Sequence, residues 1–392
     1  MKILVIFPST IRGGVEEYTL RITSAAVREG WEVHAAFPRT DGTASLVQDF
    51  TARGMHYHPL EIAEASYRRL ATTALRKYLP HFARTVFLLR QIKPDVVQIA
   101  LPYPDFCLGS ILACGFLQVP TVVRFGLVPS KWIFGAKQLK AYAWARARNQ
   151  QWVAVSENNR KLICESFQIP YDEVRCIYNG TKLMSAPIVT NQEESTSLRH
   201  QLRQELGVPA TSKLALTVGR LDPQKGYDNL VPAIPHIIKE FPEVRFVWVG
   251  EGKQRDSLVR KVQEYGVEDQ VLFLGYRSDV PRLLAAADLF IFPTHYEGHP
   301  SALLEAMAYG LPVIASNASS IPEMIEDMKH GLLCRSDDSC SLLEAIRWAL
   351  RHPEKMQEMA HKAKLRIQDF SQGKMIQETL ELWQKLSQTP RI

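Results

Sequence analysis

The chain has 392 residues, of which 46% are hydrophobic and 22% charged, and its formal net charge is +6. This length favours two domains, and the composition excludes a disordered or fibrous chain. No apolar run is long enough to cross a bilayer and none after Met1 resembles a secretory signal, so we expect a cytoplasmic protein. The six cysteines lack CxxC or zinc-finger spacing, which favours reduced thiols over disulfides or a metal site.

The chain opens with a strand, a glycine loop, a helix and a second strand. The strands are predicted at residues 2–7 and 32–37 and the helix at 15–29. This order is typical of a doubly wound α/β domain. The loop reads RGGVEE rather than GxGxxG, so it is not a dinucleotide fingerprint. Gly13 and Gly14 either admit a ligand phosphate or sugar close to the backbone or simply form a tight turn.

Further strands follow in two series, separated by a polar stretch. The first series continues at residues 96–100, 121–125, 151–155 and 174–177, with helical segments between strands. Residues 183–200 lack periodicity and are predicted to be an interdomain linker. The second series comprises residues 213–218, 245–249, 271–274, 289–292 and 312–315. The sequence therefore predicts an α/β protein of two Rossmann-like domains, residues 1–185 and 186–370, whose strand ends face each other across a cleft.

One half of a candidate site lies in the stretch FPTHYEGHPSALLEAMAYG, residues 292–310. It is predicted to leave a strand, form a loop that holds Glu297 and start a helix near Pro300. Glu305 then lies about one turn into that helix. The free N–H groups of the first turn would favour an anion. A surface loop with a capping glutamate is the alternative interpretation.

The other half follows the first strand of the second series. The loop contains Gly219, Arg220, Lys225 and Gly226. Arginine can bind two phosphate oxygens at once and lysine supplies a mobile charge, so the pair suits a diphosphate. The alternative is that Arg220 and Lys225 form only ion pairs on the protein surface.

Several motifs together resemble the family 4 retaining glycosyltransferases. These motifs are GRLDPQKG, VGEG at 249–252, LGY at 274–276 and EGHPSALLEAMAYGLPVIAS. Glu297 and Glu305 match the E-x7-E signature of that family. The resemblance extends from the Gly13-Gly14 loop to the last helix and implies the two-domain GT-B fold. It also implies that residues 371–392, with a helix predicted at 370–386, cross back onto the first domain.

The resemblance also implies roles for individual residues. Arg220 and Lys225 match the cations that bind the donor diphosphate, Glu305 the acid that binds its ribose, and Glu297 the acid that holds its sugar. We take Arg220, Lys225 and Glu297 as the catalytic candidates. The remaining donor-binding candidates are Gly13, Gly14, Gly219, Gly250, Gly252, Tyr276, Arg277, Gly298, His299, Pro300, Ser301, Ala302 and Leu303.

One departure from the family pattern concerns the first domain. Phe125 stands where the family usually has a histidine that contacts the donor sugar. This difference leaves the sugar open, and Arg124 is a candidate for part of the lost polar contact.

The expected function is hexosyl transfer, with retention and without a metal or cofactor, from a UDP- or GDP-sugar to a glycan or lipid-linked acceptor, as in polysaccharide biosynthesis. An epimerase, a small-molecule glycosyltransferase and a non-catalytic sugar-nucleotide-binding protein are the alternatives. No nucleic-acid partner is expected.

Two basic, aromatic-containing segments of the first domain suggest a further partner. They span residues 67–93 and 131–152. Helices of this composition rest on anionic membranes, which would make the protein peripheral on the inner membrane face. Ordinary surface helices with an apolar core face are the alternative.

Overall fold

The structure is a computed structural model that describes residues 1–62, 74–182 and 192–388. The chain divides into two compact units. Unit 1 contains Met1–Asn179 and resumes at Gly373, and unit 2 is Gly180–Gln372. The domain limits predicted from the sequence were residues 185 and 370.

Unit 1 alternates strands and helices. Its strands are β1 (Lys2–Ile6), β2 (Glu32–Phe37), β3 (His56–Pro59), β4 (Val96–Leu101), β5 (Thr121–Phe125), β6 (Gln150–Ala154) and β7 (Val174–Cys176). Its first helices are α1 (Gly14–Arg28), α2 (Ala44–Ala52), α3 (Ala74–Ile92), α4 (Leu108–Phe116), α5 (Ala136–Arg146) and α6 (Glu157–Phe167). The described strands form one seven-stranded parallel sheet with the order β3-β2-β1-β4-β5-β6-β7.

Unit 2 repeats this architecture. Its helices are α7 (Gln192–Glu205), α8 (Tyr227–Leu230), α9 (Ile234–Glu240), α10 (Arg255–Glu264), α11 (Val280–Ala286), α12 (Ser301–Ala308), α13 (Ile321–Met324), α14 (Ser339–Arg351) and α15 (Pro353–Arg366). Its strands are β8 (Lys213–Val218), β9 (Val244–Val249), β10 (Val271–Phe273), β11 (Leu289–Phe292), β12 (Val313–Ser316) and β13 (Leu332–Cys334). In the described part of the chain they form a six-stranded parallel sheet ordered β10-β9-β8-β11-β12-β13.

The last helix, α16 (Gln372–Ser387), belongs to unit 1. Its Trp383 is fully buried and donates Nε1–H to Gln98 Oε1 of β4 at 3.1 Å. Trp383 shares one apolar core with Ile3 and Val5 of β1, whereas Leu4 and Ile6 face the core on the other side of the sheet. The α/β class with two parallel sheets and a returning C-terminal helix is therefore confirmed.

The predicted linker is wrong for residues 192–200, because α7 begins at Gln192. Leu202 of α7 is buried, and Arg203 is only 5% exposed with Nη2 2.7 Å from Asp288 Oδ2. These contacts attach the helix to unit 2, although its sequence is mostly polar. Residues 183–191 of the predicted linker lie outside the described residues.

The switch point of the unit 2 sheet determines where its loops meet. Strand β8 pairs with β9 on one side and with β11 on the other. At such a point the chain leaves the neighbouring strands toward opposite faces of the sheet, which opens a crevice at their carboxyl ends. The loops after β8 and β11, residues 219–226 and 293–300, start from those ends.

Candidate nucleotide-sugar site

The two loops of unit 2 that the sequence singled out are bonded to each other. Gln224 O accepts hydrogen bonds from the backbone N–H of His295 at 2.9 Å and from Thr294 Oγ1 at 2.8 Å. Gln224 Nε2 donates in return to Tyr296 O at 3.0 Å. These bonds hold the loop after β8 against the loop after β11, 70 residues further along the chain.

Gly226 allows this close approach. Its φ is +67°, a left-handed conformation that side chains rarely adopt. A Cβ on Gly226 would lie 1.9 Å from the carbonyl oxygen of Pro293, so any other residue would push the two loops apart. Gly250, after β9, is similarly restricted, with φ +137° and a hypothetical Cβ 2.1 Å from Gly219 O. Both glycines therefore have a packing role whatever they bind.

Lys225 and Glu297 form the centre of the site. Lys225 Nζ lies 2.5 Å from Glu297 Oε1, and Thr294 Oγ1, which shares its one hydrogen between Gln224 O and this carboxylate, lies 3.0 Å from the same oxygen. The side chains of Lys225 and Glu297 are only 14% and 8% exposed. The structure thus brings together two catalytic candidates as a largely buried ion pair, and it adds Thr294, which sequence reasoning missed.

Arg220, the third catalytic candidate, is more open. Its side chain is 49% exposed, and Nη1 lies 2.6 Å from Asp222 Oδ2. Its Nη2 also donates to Gln224 Oε1 at 3.3 Å. Asp222 is the second side chain of this candidate site that the sequence analysis did not single out, although it lies inside the GRLDPQKG motif.

The helix after the second loop begins where it was predicted. Pro300 is the N-cap of α12, so Ser301, Ala302 and Leu303 form its first turn. Leu303 is fully buried, whereas Ser301 and Ala302 are partly exposed. Glu305 is partly exposed and lies one turn into the helix, as the E-x7-E spacing requires.

His299 does not have the open position expected of a residue that lines a ligand site. It is 3% exposed, and its ring centroid lies 5.1 Å from that of Phe370. Its neighbour Gly298 is also buried. Gly298 and His299 therefore pack beneath the loop, inside unit 2, and are not on its exposed surface.

Tyr276 and Arg277, the candidates for bracketing the base, differ from each other. Tyr276 is 76% exposed. Arg277 is held by Asp279, 2.7 Å from its Nε, and by Glu205, 2.9 Å from its Nη2. These two carboxylates raise the pKa of Arg277, so its guanidinium is already paired with carboxylates inside unit 2.

The Gly13-Gly14 loop belongs to unit 1. Gly13 is the N-cap of α1, and the buried carboxyl of Glu16 bonds with Ser9 and with the N–H groups of Gly13 and Glu16. Burial outweighs these bonds and raises the pKa of Glu16. A Cβ on Gly13 would lie 3.1 Å from Glu16 Oε2, whereas one on Gly14 would meet nothing within 4 Å.

Phe125 is a core residue. It is fully buried, with its ring 5.2 Å from that of Trp152 and 5.6 Å from that of Phe167. Arg124 points to the opposite face, where its guanidinium lies 3.4 Å from the centroid of Tyr18 and donates to Asn179. Arg124 is 2% exposed and burial lowers its pKa. Neither side chain is open in unit 1 to a ligand.

No group of three His, Cys, Asp or Glu side chains in the described residues could hold a metal ion. Among the same residues, no helix is long and apolar enough to cross a membrane.

Comparison with known proteins identifies the family. The model of glycosyl transferases group 1 matches residues 199–366, and that of glycosyltransferase family 4 matches residues 12–183. The chain belongs to glycosyltransferase family 4. The two models match one unit each, and the motifs that carried the resemblance lie within the matched ranges.

Relatives of this family 4 chain include an uncharacterized glycosyltransferase of Methanocaldococcus jannaschii, 33% identical over 46% of each chain. A UDP-Gal:alpha-D-GlcNAc-diphosphoundecaprenol alpha-1,3-galactosyltransferase of Escherichia coli is 35% identical over 48% of each chain. The chain thus spans about half the length of these curated relatives.

Solved structures share the GT-B fold over nearly the whole chain. HepE of Anabaena, crystallised with UDP, has a TM-score of 0.80 at 22% identity and covers 98% of this chain and 100% of its own. A glycosyltransferase of Rickettsia africae has a TM-score of 0.82 at 17% identity and covers 99% of both chains. The predicted family and fold are therefore confirmed.

Proposed function

We propose that the protein transfers a hexose from a nucleoside-diphosphate sugar, with UDP as the favoured nucleotide, to a glycan or lipid-linked acceptor. The observation that carries this proposal is the position of Arg220 and Lys225 in the loop after β8, which is hydrogen-bonded to the loop between β11 and α12. Two cations and a helix N-terminus at one crevice provide a site for a diphosphate.

The charges of the site fit the departure of a diphosphate. As the bond to the anomeric carbon breaks, negative charge grows on the leaving phosphate. Donors that are already fixed in place stabilise that charge without reorganisation. Lys225 is fixed by Glu297, whose carboxylate also bonds with Thr294. Arg220 is more exposed, and it bonds with Gln224 and with Asp222, the partner that a diphosphate would replace.

Retention at the anomeric carbon is part of the proposal. It follows if the acceptor attacks from the face that the leaving group vacates, while a leaving-phosphate oxygen accepts the acceptor proton. Glu297 then holds the sugar rather than acting as a nucleophile, since its carboxylate is engaged by Lys225 at 2.5 Å.

The relatives support the choice of substrates. The Escherichia coli relative is named for UDP-Gal and a diphosphoundecaprenol-linked sugar, and a Campylobacter jejuni relative, 25% identical over 58% of each chain, for a diphospho-undecaprenol acceptor. Solved neighbours hold UDP and UDP-glucose. We therefore favour a UDP-hexose donor and an acceptor carried on a lipid diphosphate.

A sugar-nucleotide-binding protein without turnover is the second candidate. It is favoured by Phe125, which is buried among aromatic rings where the family usually offers a histidine to the sugar. An epimerase or a small-molecule glycosyltransferase would share the same donor site. Measured release of UDP without acceptor, with a lipid-linked acceptor and with small-molecule acceptors separates all of these.

The first test combines binding and turnover in three variants. Lys225→Ala should weaken UDP binding and lower transfer by about 10²–10³-fold, because a fixed donor to the leaving group is lost. Glu305→Ala should mainly weaken UDP binding, and Glu297→Gln should mainly lower turnover. Calorimetry with UDP and release of UDP from UDP-hexoses give the two readouts.

Lys213→Ala is the matched control. Lys213 lies at the amino end of β8, the strand that leads to Lys225, and pairs with Glu243 at 3.4 Å. Its removal should leave both readouts within twofold of the unmodified protein. Unchanged turnover in Glu297→Gln would disprove the sugar-holding role of that residue.

Independence from metal is tested separately. Since Arg220 and Lys225 are proposed to balance the diphosphate charge, transfer should survive an excess of chelator. Loss of transfer in chelator with recovery in magnesium or manganese would contradict this part of the proposal.

A further inference from the structure

The positive charge of the chain is concentrated in one part of unit 1. Between residues 65 and 156 the sequence has thirteen lysines and arginines, and its only carboxylates there are Asp95 and Asp105. This stretch alone carries a formal charge of +11, so the rest of the chain carries −5 against the total of +6. The imbalance is therefore local and is not a property of the whole protein surface.

The helices α3, α4 and α5 contain no aspartate or glutamate. On α3, the exposed face includes Leu79, Phe87 and Arg90, and Phe87 is 72% exposed. Phe87 lies between Arg84 and Arg90 in the sequence, and its exposed ring is apolar surface whose removal from water would be favourable. Arg68, Arg69, Arg76 and Lys77 of the predicted basic segment have side chains outside the described residues.

A ring pair joins α3 to α4, and the Trp144 ring of α5 packs against α4. Phe116, at the end of α4, is 55% exposed, and its ring centroid lies 5.6 Å from that of Phe82 on α3. On the α5 side, a Cβ on Gly115 would lie 3.3 Å from Trp144 Cζ3. The exposed rings of Phe87, Phe116 and Trp144 therefore lie on three helices that pack side by side.

Cations accompany the exposed Trp144 ring on α5. Lys137, Lys140 and Trp144 follow each other at helical spacing and are exposed. Arg148 lies 4.1 Å from the Trp144 ring centroid and donates Nη1–H to Trp144 O at 2.8 Å. We call the surface formed by Leu79, Phe87, Arg90, Phe116, Lys137, Lys140, Trp144 and Arg148 the aromatic–basic face.

We propose that the aromatic–basic face docks unit 1 on an anionic lipid bilayer. Lysines and arginines on helices that contain no aspartate or glutamate suit anionic headgroups, and tryptophan and phenylalanine suit the boundary between headgroups and acyl chains. This inference rests on the proposed function, because docking on a bilayer is useful to an enzyme whose acceptor is carried by a lipid in that bilayer.

The chemistry favours a bilayer over a nucleic acid. A single-stranded nucleic acid would use aromatic rings as stacking platforms for its bases. Here the Trp144 ring already carries Arg148, and Phe116 packs against Phe82. The aliphatic Leu79 has no role in base stacking but can enter the acyl boundary.

Flotation of the full chain with vesicles tests the proposal. The protein should float with vesicles of phosphatidylcholine that contain about 30% phosphatidylglycerol and should float at least tenfold less with phosphatidylcholine alone. High salt should reduce flotation without abolishing it, because the apolar rings do not depend on charge. Absence of flotation at low salt would overturn the proposal.

Paired variants separate the two contributions. Lys137→Glu with Lys140→Glu should lower the partition coefficient at least tenfold, and Phe87→Ser with Trp144→Ser should lower it several-fold even at high salt. The controls are Lys362→Glu with Lys364→Glu, and Leu365→Ser, all exposed positions on α15 of unit 2. Equal losses in the controls would overturn the assignment to the aromatic–basic face.

Two more measurements complete the test. Binding of single-stranded RNA as tight as that of vesicles, insensitive to Phe87→Ser and Trp144→Ser, would point to a general polyanion surface and overturn the proposal. Calorimetry with UDP on the same preparation keeps the two proposals apart. A protein that binds UDP but does not float refutes only the bilayer inference, and the reverse result refutes only the donor site.

Discussion

Both cations of the proposed donor site already have carboxylate partners in unit 2. Lys225 is paired with Glu297 and Arg220 with Asp222, so the four side chains sum to zero charge. A diphosphate must therefore replace at least one carboxylate rather than fill an unbalanced positive site. Arg220 is the cation that can exchange, because its side chain is about half exposed whereas Lys225 is largely buried.

Asp222→Asn should therefore tighten UDP binding. The amide removes the charge that competes for Arg220, and an exposed ion pair of this kind is worth up to about 1 kcal/mol, or roughly fivefold in affinity. The gain should shrink as salt is added, because the competing interaction is screened. Titration calorimetry at low and high salt measures both effects.

Glu240→Gln provides the control for Asp222→Asn. Glu240 ends α9, just before the amino end of β9, and pairs with Arg347 and Arg351 at 2.6 Å each. Glu240 lies at the end of the sheet where the strands begin, whereas the loops 219–226 and 293–300 lie where strands end. Its loss should therefore not change UDP affinity. Weaker binding in Asp222→Asn would mean that Asp222 positions Arg220 rather than competing for it.

The sequence predicted which residues would meet but not how they pair. Glu297 and Lys225 are 72 positions apart, and only the switch point of the sheet brings their loops together. The E-x7-E spacing predicted the helix position of Glu305 correctly. The ion pair of Arg220 with Asp222 was missed, since nothing in the motif distinguishes a structural carboxylate from a solvated one.

At the scale of elements, the edge of the unit 1 sheet carries a histidine cluster. Glu32 and His34 lie on β2, and His56 and His58 on β3, in the register His34 with His56. His34 Nδ1 lies 2.8 Å from His58 Nε2, and His34 Nε2 lies 2.9 Å from Glu32 Oε1. Burial lowers the pKa of both His34 and His58 below the ordinary value of 6.5.

These shifts predict loss of stability in acid. The unfolded chain takes up protons on His34 and His58 as the pH falls below 6.5, before the folded protein does, so the free energy of unfolding decreases there. Above 6.5 both states are neutral at these positions and the contribution is complete. Urea unfolding at a series of pH values between 4.5 and 7.5 should show this slope for unit 1.

The double variant His34→Gln with His58→Gln should have a flatter pH dependence than the unmodified chain. His361→Gln, at an exposed position on α15, should keep the original slope. An unchanged slope in the double variant would show that other groups cause the acid sensitivity.

The strand limits illustrate what local pattern can predict. Strands β2, β5, β8 and β11 have the predicted limits, because each is a compact run of apolar residues next to a turn. Strand β3 was not assigned, since its sequence HYHP lacks the apolar alternation by which edge strands are recognised. Strand β13 is only three residues long and was also missed.

For the whole molecule, the position of α16 predicts which unit is destabilised when the packing of this helix is weakened. Trp383 is fully buried in the core that α16 shares with β1, so Trp383→Ala should destabilise unit 1 by about 3–5 kcal/mol. Unit 2 should be unaffected. Tryptophan fluorescence and hydrogen exchange during urea unfolding can assign the two transitions.

Glu381→Ala, on an exposed position of the same helix, is the matched control and should change neither transition by more than about 0.5 kcal/mol. Equal destabilisation of both units by Trp383→Ala would show that they unfold together. The return of this helix to unit 1 was implied by the family resemblance, because its amphipathic pattern alone does not say which sheet it covers.

The path of the chain also has a consequence for biosynthesis. Unit 1 is interrupted after Asn179, and its remaining helix begins only after the 193 residues of unit 2. At about 5–20 residues per second, a ribosome needs roughly 10–40 s to make that insertion. During this interval the apolar surface around Ile3 and Val5 that Trp383 later covers is exposed on the nascent chain. The first unit to be translated is therefore the last to be completed, and its unfinished sheet exposes apolar surface of the kind that chaperones bind.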